Sequence, residues 1–113
     1  MLGIYLGGAI APGIETSLQA LATRAAQLYS ISLELPSSPI GKNTADAMRS
    51  GLLYGALYAA ERLAEEFCKE IGGKPKIIAT GGLAPLLAHN SRIISEIEPN
   101  LVLKGIQLIC EES

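Results

Sequence analysis

The chain has 113 residues, enough for one buried core and too few for two, and with 49% apolar residues it belongs with folded rather than disordered sequences. Its formal charge is −2, and its nine lysines and arginines stand singly from Arg24 to Lys104, which excludes the concentrated basic face of a nucleic-acid binder. A lone histidine, His89, excludes a metal site built on imidazoles, and Cys68 and Cys110, without CxxC spacing, read as reduced thiols of a cytoplasmic protein.

The opening MLGIYLGGAIAPG is apolar, but no positive residue precedes it and Gly3, Gly7, Gly8 and Pro12 interrupt it, so a secretory leader is not expected. No run approaches the roughly 18 apolar residues of a membrane span; the longest, GLLYGALYAA from Gly51, is far shorter. Residues 4–11, IYLGGAIA, fit a buried, glycine-interrupted strand. After the Pro12-Gly13 break, Ile14, Leu18, Leu21, Ala22, Ala25 and Leu28 follow helical spacing, predicting a helix that ends near Tyr29-Ser30.

ISLELPSSPIGKN, Ile31 to Asn43, reads as a loop. Asn43 or Thr44 can cap the next helix, with Asp46 in its first turn, and that helix should run from about Ala45 to Ile71 before Gly72-Gly73 ends it. Along it Ser50–Gly51, Tyr54–Gly55 and Tyr58–Ala59 repeat every four residues, and the small residues Gly51, Gly55 and Ala59 would admit a neighbouring backbone. Lys76–Thr80, KIIAT, predicts a short buried parallel strand. Gly81-Gly82 turns it into a short helix, LAPLLAHN, with Pro85 early, where a missing N–H is tolerated. ISEIEPN adds a short edge strand, and Leu101 to about Glu111 a final helix. The alternation implies an α/β fold with a mainly parallel short sheet covered by helices.

Two loops could carry chemistry. ATGGLAP follows a parallel strand at its carboxyl end, where open α/β sheets place ligands; a plain strand-to-helix turn is the competing reading. GKNT, Gly41–Thr44, lacks P-loop spacing, since Pro36 stands where the first glycine belongs. It is either a helix cap or a place where the Thr44 hydroxyl holds a polar substrate. Asp46 is the sole aspartate, and Glu61, Glu65, Glu66 and Glu70 fall on a helical surface, so no catalytic residue, carboxylate pair, triad or metal-ligating set can be assembled.

Taken together, YLGGAIAPG (Tyr5–Gly13), IGKNTADAMRSGLLYG (Ile40–Gly55), IATGGLAPLLA (Ile78–Ala88) and NLVLKGIQLI (Asn100–Ile109) resemble the C-terminal part of type III pantothenate kinases across nearly the whole chain. The resemblance implies membership of the acetate and sugar kinase/heat-shock protein/actin superfamily, whose members hold ATP between two ribonuclease-H-like (actin-like ATPase) domains. The chain would then be a single domain over 1–113, equivalent to most of the second of these. The N-terminal domain and the first strands of this domain would be absent. It implies an ATP-dependent phosphorylation of pantothenate, the first step of coenzyme A biosynthesis, with Mg²⁺ and a monovalent cation (K⁺ or NH₄⁺) in the complete enzyme. Carried onto this sequence, Thr44 would contact pantothenate, Thr80, Gly81 and Gly82 would form the nucleoside-side loop, and Gly7, Gly8, Pro12 and Gly13 would line the cleft. The family's phosphate-binding motifs and its catalytic aspartate have no counterpart in these residues. The expectation is therefore a kinase fragment, inactive and without tight nucleotide binding alone, acting in a homodimer or with a complementing N-terminal half. The alternative expectation is a non-catalytic dimerisation module, and a weaker one is a remnant that binds nucleotide only.

Overall fold

The computed structural model describes residues 3–24 and 31–112, which divide into two compact units, Met1–Ser32 and Leu33–Ser113. In the first, residues 3–13 carry neither helix nor strand, and α1 spans Ile14–Arg24. The Ser17 N–H donates to the Gly13 carbonyl at 2.9 Å, closing the first turn of α1, and Glu15 lies where a helix N-terminus favours negative charge. The continuation of this helix to Tyr29-Ser30 falls outside the described residues.

The buried strand read over 4–11 is not formed: Ile4, Tyr5, Leu6 and Ile10 are 75% to 102% exposed. The reason is physical. A strand is satisfied only by a neighbour along its edge, and among the described residues of this unit none pairs with it.

In the second unit one continuous helical rod dominates. It consists of α2 (Thr44–Arg49), a widened π turn (Ser50–Tyr54) and α3 (Gly55–Ile71), joined through right-handed helical backbone at Ser50 and Gly55. Asn43 supplies the N-cap, its side-chain oxygen accepting from the Asp46 N–H at 2.8 Å, while the Asp46 carboxylate pairs with Arg49 at 2.9 Å. At the far end Gly72 (φ 82°) and Gly73 (φ 72°) take a backbone that side chains avoid, and the Gly72 N–H donates to Cys68. This matches the long helix expected between a cap at 43–44 and the two glycines. The π turn has no counterpart in the expectation, because a widened turn leaves no compositional mark.

The rod buries Leu52, Leu53 and Leu57, with Leu53 and Leu57 on one face a turn apart and completely covered. Each such side chain contributes on the order of 1.5–3 kcal/mol by leaving water. Beside them Tyr54 and Tyr58 stack with centroids 5.7 Å apart. The opposite surface holds an ion-pair ladder: Arg62 reaches Glu65 and Glu66, and Lys69 reaches Glu66 at 3.1 Å, which confirms these glutamates as solvated. Gly51 and Gly55 are exposed, and a Cβ on either would meet nothing within 4 Å, so the close backbone approach expected there is not made.

After the rod the chain forms a small βαβ layer. The strand β1 (Ile78–Ala79) lies parallel to β2 (Glu96–Ile97), with Ile78 opposite Glu96 and Ala79 opposite Ile97. The crossover helix α4 (Ala84–Ala88) buries Ala84 and touches β2. The Ser95 N–H and hydroxyl both donate to Ile77 O, and the Glu98 N–H donates to Ala79 O at 2.9 Å. The fold is α/β with a parallel sheet as expected, but each strand is two residues long and Ile78 is 44% exposed rather than buried. Finally α5 (Leu101–Glu112) starts where the Glu98 carboxylate receives the Asn100 N–H and the Lys104 ammonium. No described helix is long and apolar enough to cross a membrane.

Leu53→Ala and Leu57→Ala are each expected to lower unfolding free energy by about 2–4 kcal/mol in urea titration, because a cavity adds to the lost transfer energy. Phe67→Ala, at a side chain 41% exposed, should cost well under half of that. The Glu66 carboxyl is held below its ordinary value of 4.5, chiefly by the hydrogen bond from Lys69 and then that from Arg62. A carboxylate lowered on folding stabilises above its unfolded value and loses that contribution as pH falls through the folded one. Titration followed by NMR should place the Glu66 midpoint below 4.5, and Lys69→Ala should move it upward.

Candidate functional site

The Gly41–Thr44 turn is built from both sides. Upstream, the proline strap 36–41 lies on the π turn: the Tyr54 hydroxyl donates to Pro36 O at 2.6 Å, and the Ser50 hydroxyl donates to Pro39 O. Gly41 then passes so close to the start of α2 that a Cβ on it would fall on the Ala47 nitrogen and α-carbon and the Asp46 carbonyl carbon. Only glycine fits. Downstream, Asn43 caps, which settles the choice between Asn43 and Thr44 as N-cap in favour of Asn43. Thr44 becomes the first helical residue, exposed, with no hydrogen bond from its hydroxyl to any described residue. The cap reading of GKNT is therefore correct for Asn43, and it leaves Thr44 available for other work.

The Thr80-Gly81-Gly82 loop leaves the carboxyl end of β1 and is exposed throughout. Gly81 has φ 110°, a backbone other residues adopt only under strain, and its carbonyl accepts from the Ala84 N–H to close the turn into α4. A Cβ on Gly81 or Gly82 would meet nothing within 4 Å, so the backbone is open to a flat group laid against it. Among the described residues no hydrogen bond or ion pair joins this loop to the Gly41–Thr44 turn. Gly7, Gly8, Pro12 and Gly13 lie in the first unit, all exposed; Gly7 has φ 120°, and the Gly13 carbonyl closes α1.

An open cavity of about 220 Å³ lies elsewhere on the layer, lined by Ala88, His89, Ile94, Ser95, Glu96 and Ile97. These residues sit at the end of α4 and the beginning of β2, so the crossover places them at the opposite end of the layer from the glycine loop. His89 is exposed at the C-terminus of α4, as its sequence position suggests. Cys68 is a free, half-buried thiol, and Cys110 lies outside the residues whose side chains are described.

No three His, Cys, Asp or Glu side chains cluster among the described residues, and Asp46, the sole aspartate, is engaged by Arg49 and Asn43. The described side chains assemble no carboxylate set of the kind that holds Mg²⁺, and no step through Mg²⁺ or K⁺ is derived from them. What the arrangement offers is a free hydroxyl at the head of a rigid rod and a backbone loop at the end of a strand.

Comparison with known proteins is specific. The family model described as Type III pantothenate kinase matches residues 2–66. A type III pantothenate kinase from Parafrankia sp. (strain EAN1pec) is 46% identical over 111 residues, covering 98% of this chain and 44% of its own length. The chain thus spans less than half the length of that curated relative.

Removing the cap should separate the two roles of the turn. Asn43→Ala is expected to lower unfolding free energy by about 1 kcal/mol, while Thr44→Ala should change it by no more than a few tenths, both read from urea midpoints at constant slope.

Proposed function

Because the chain belongs to the type III pantothenate kinase family, we propose that these 113 residues form the C-terminal part of such a kinase, serving the ATP-dependent phosphorylation of pantothenate that begins coenzyme A biosynthesis. The observation that carries this reading is the 46% identity running through 98% of the chain while covering 44% of the relative. Within the proposed enzyme, Thr44 offers its hydroxyl to pantothenate. Thr80, Gly81 and Gly82 present an open backbone to the nucleoside of ATP, and Gly7, Gly8, Pro12 and Gly13 line the cleft. The exposure of Thr44 and the lack of any Cβ-range neighbour at Gly81 and Gly82 support these roles.

Phosphoryl transfer is governed by positioning and by neutralising charge on the phosphates. These residues supply positioning at two places and no group for the phosphates. The proposed chain is therefore inactive by itself and contributes to a site completed by a second copy or by a complementing N-terminal half. Mg²⁺ and the monovalent cation would be held by that other part. Cytoplasmic location belongs to the same reading, since a soluble coenzyme pathway and the free Cys68 thiol suit a reducing compartment.

A second reading, a non-catalytic dimerisation module, is favoured by one observation. The Gly51–Gly55–Ala59 face is exposed with room for a close neighbour, and Leu63, Phe67 and Ile71 stand exposed four residues apart on the same helix.

The purified 113-residue chain, given pantothenate, ATP, Mg²⁺ and K⁺, should form no phosphopantothenate above background. Millimolar pantothenate should shift the amide signals of Lys42 to Ala45, and Thr44→Ala should abolish the shift. Clear turnover by the chain alone overturns the proposed inactivity; shifts confined to other residues overturn the role of Thr44.

A further inference from the structure

We propose that Ser50 and Tyr54 are positioning residues, a two-hydroxyl clasp that holds the proline strap 36–41 and thereby fixes the pose in which the Gly41–Thr44 turn presents Thr44. The inference rests on the reading of Thr44 as the pantothenate contact and adds residues that touch neither substrate.

Pro36 and Pro39 have no N–H to donate, so neither can enter a backbone ladder from that side, and their carbonyls are left as acceptors needing a donor. The rod provides the donors. Tyr54 Oη donates to Pro36 O at 2.6 Å and Ser50 Oγ donates to Pro39 O, each across a long stretch of sequence. Within the strap, the Ile40 N–H is taken by Ser38 Oγ at 3.3 Å. Immediately beyond, Gly41 lies against the α2 backbone, where any Cβ would collide, and Asn43 caps α2. The segment leading to Thr44 is thus fastened at Pro36, at Pro39 and again at Gly41–Asn43.

One helix can reach two carbonyls of the strap because residues four apart are neighbours on a helix surface. In an ordinary α-helix, residues four apart lie slightly past one turn. Ser50 and Tyr54 are the first and last residues of the π turn and, four apart, face the same side. Such turns are enriched at functional sites. Tyr54 is held from behind by its stack on Tyr58, 5.7 Å away, so its ring is placed independently of its hydroxyl. Tyr54→Phe therefore removes the clasp without removing the packing.

Amide hydrogen exchange and pantothenate titration on the 113-residue chain test this, with Ser50→Ala, Tyr54→Phe, the double variant and Ser50→Thr. Exchange at the Ile40 amide, held by Ser38 Oγ, and the Asp46 amide, held by the Asn43 cap, should rise about fivefold to tenfold in each hydroxyl deletion, the scale set by one net hydrogen bond, and further in the double variant. Ser50→Thr, which keeps a hydroxyl, should restore protection. Amides of α3 beyond Leu57 should be unchanged, showing the rod intact. The pantothenate-induced shift at Thr44 should shrink in the deletions and return in Ser50→Thr, a pattern that loss of packing alone would not give. Unchanged strap exchange in the double variant overturns the clasp. Absence of any pantothenate response in the wild-type chain overturns the Thr44 contact instead, and the exchange data then decide the clasp on their own.

Discussion

The second unit depends on how a rod of helix fastens a strap whose two prolines have no N–H to give. Ser50 and Tyr54 give hydroxyl hydrogens to Pro39 and Pro36 on one side of the π turn, while Leu53 and Leu57 are driven into cover on another. The two demands meet in one short length of helix. Ser50 and Tyr54 are the two ends of the π turn, and Leu52 and Leu53 lie within it. Once that register is set, the start of α2 is set with it. Gly41 can approach only one surface of the helix, and Asn43 can cap only if the strap delivers it there.

Against this locally over-determined corner, burial elsewhere is thin. Among the described residues the buried apolar side chains are Leu52, Leu53, Leu57 and Ala84, whereas Ile40, Tyr58, Ile71, Leu103, Ile106 and Leu108 are all more than half exposed. The ion pairs of α3, and the Lys76–Glu96 and Lys104–Glu98 pairs around the strands, are solvent-exposed and worth little each. A parallel pair of two-residue strands is likewise marginal without further strands beside it. Exposed apolar surface on a helix and unpaired strand edges are what a part of a larger assembly shows at the surfaces where the remainder packs. The proposed completion by a second copy or by a complementing half has this physical basis.

Much of the architecture could be read from the residues because its signals are local. Asn43 before a helical run, Gly72-Gly73 after it, and Pro85 just inside α4 each act through the backbone of their own neighbourhood, and the elements stand where those signals put them. Features that depend on a distant partner were not legible. Residues 4–11 have the composition of a strand, yet strand formation is decided by whether an edge is available, which composition does not carry. The open Gly51–Gly55 face has the same cause. The four-residue repeat of Ser50, Tyr54 and Tyr58 was visible as spacing, but its meaning lay in two carbonyls of a loop read only as a loop. For the site, the glycine loop and the GKNT turn were legible as motifs, and the cap's assignment to Asn43 required the geometry.

That assignment has a chemical consequence for the proposed reaction. A threonine serving as N-cap spends its hydroxyl on the helix, accepting from a backbone N–H, and has little left for a substrate. Asn43 takes that duty here, and Thr44 follows at the first helical position with its hydroxyl uncommitted to any described residue. A hydroxyl can both donate to and accept from a polyol or amide, the polar chemistry pantothenate offers. Its usefulness depends on being held still, since a misplacement of about 1 Å can cost two orders of magnitude in rate. The strap, the glycine that lies against the helix and the clasp from the π turn all act on that one variable. In the proposed reading they fix position and leave charge to other residues, the division of labour that phosphoryl transfer permits, because its acceptor is placed by one set of groups and its phosphates are neutralised by another.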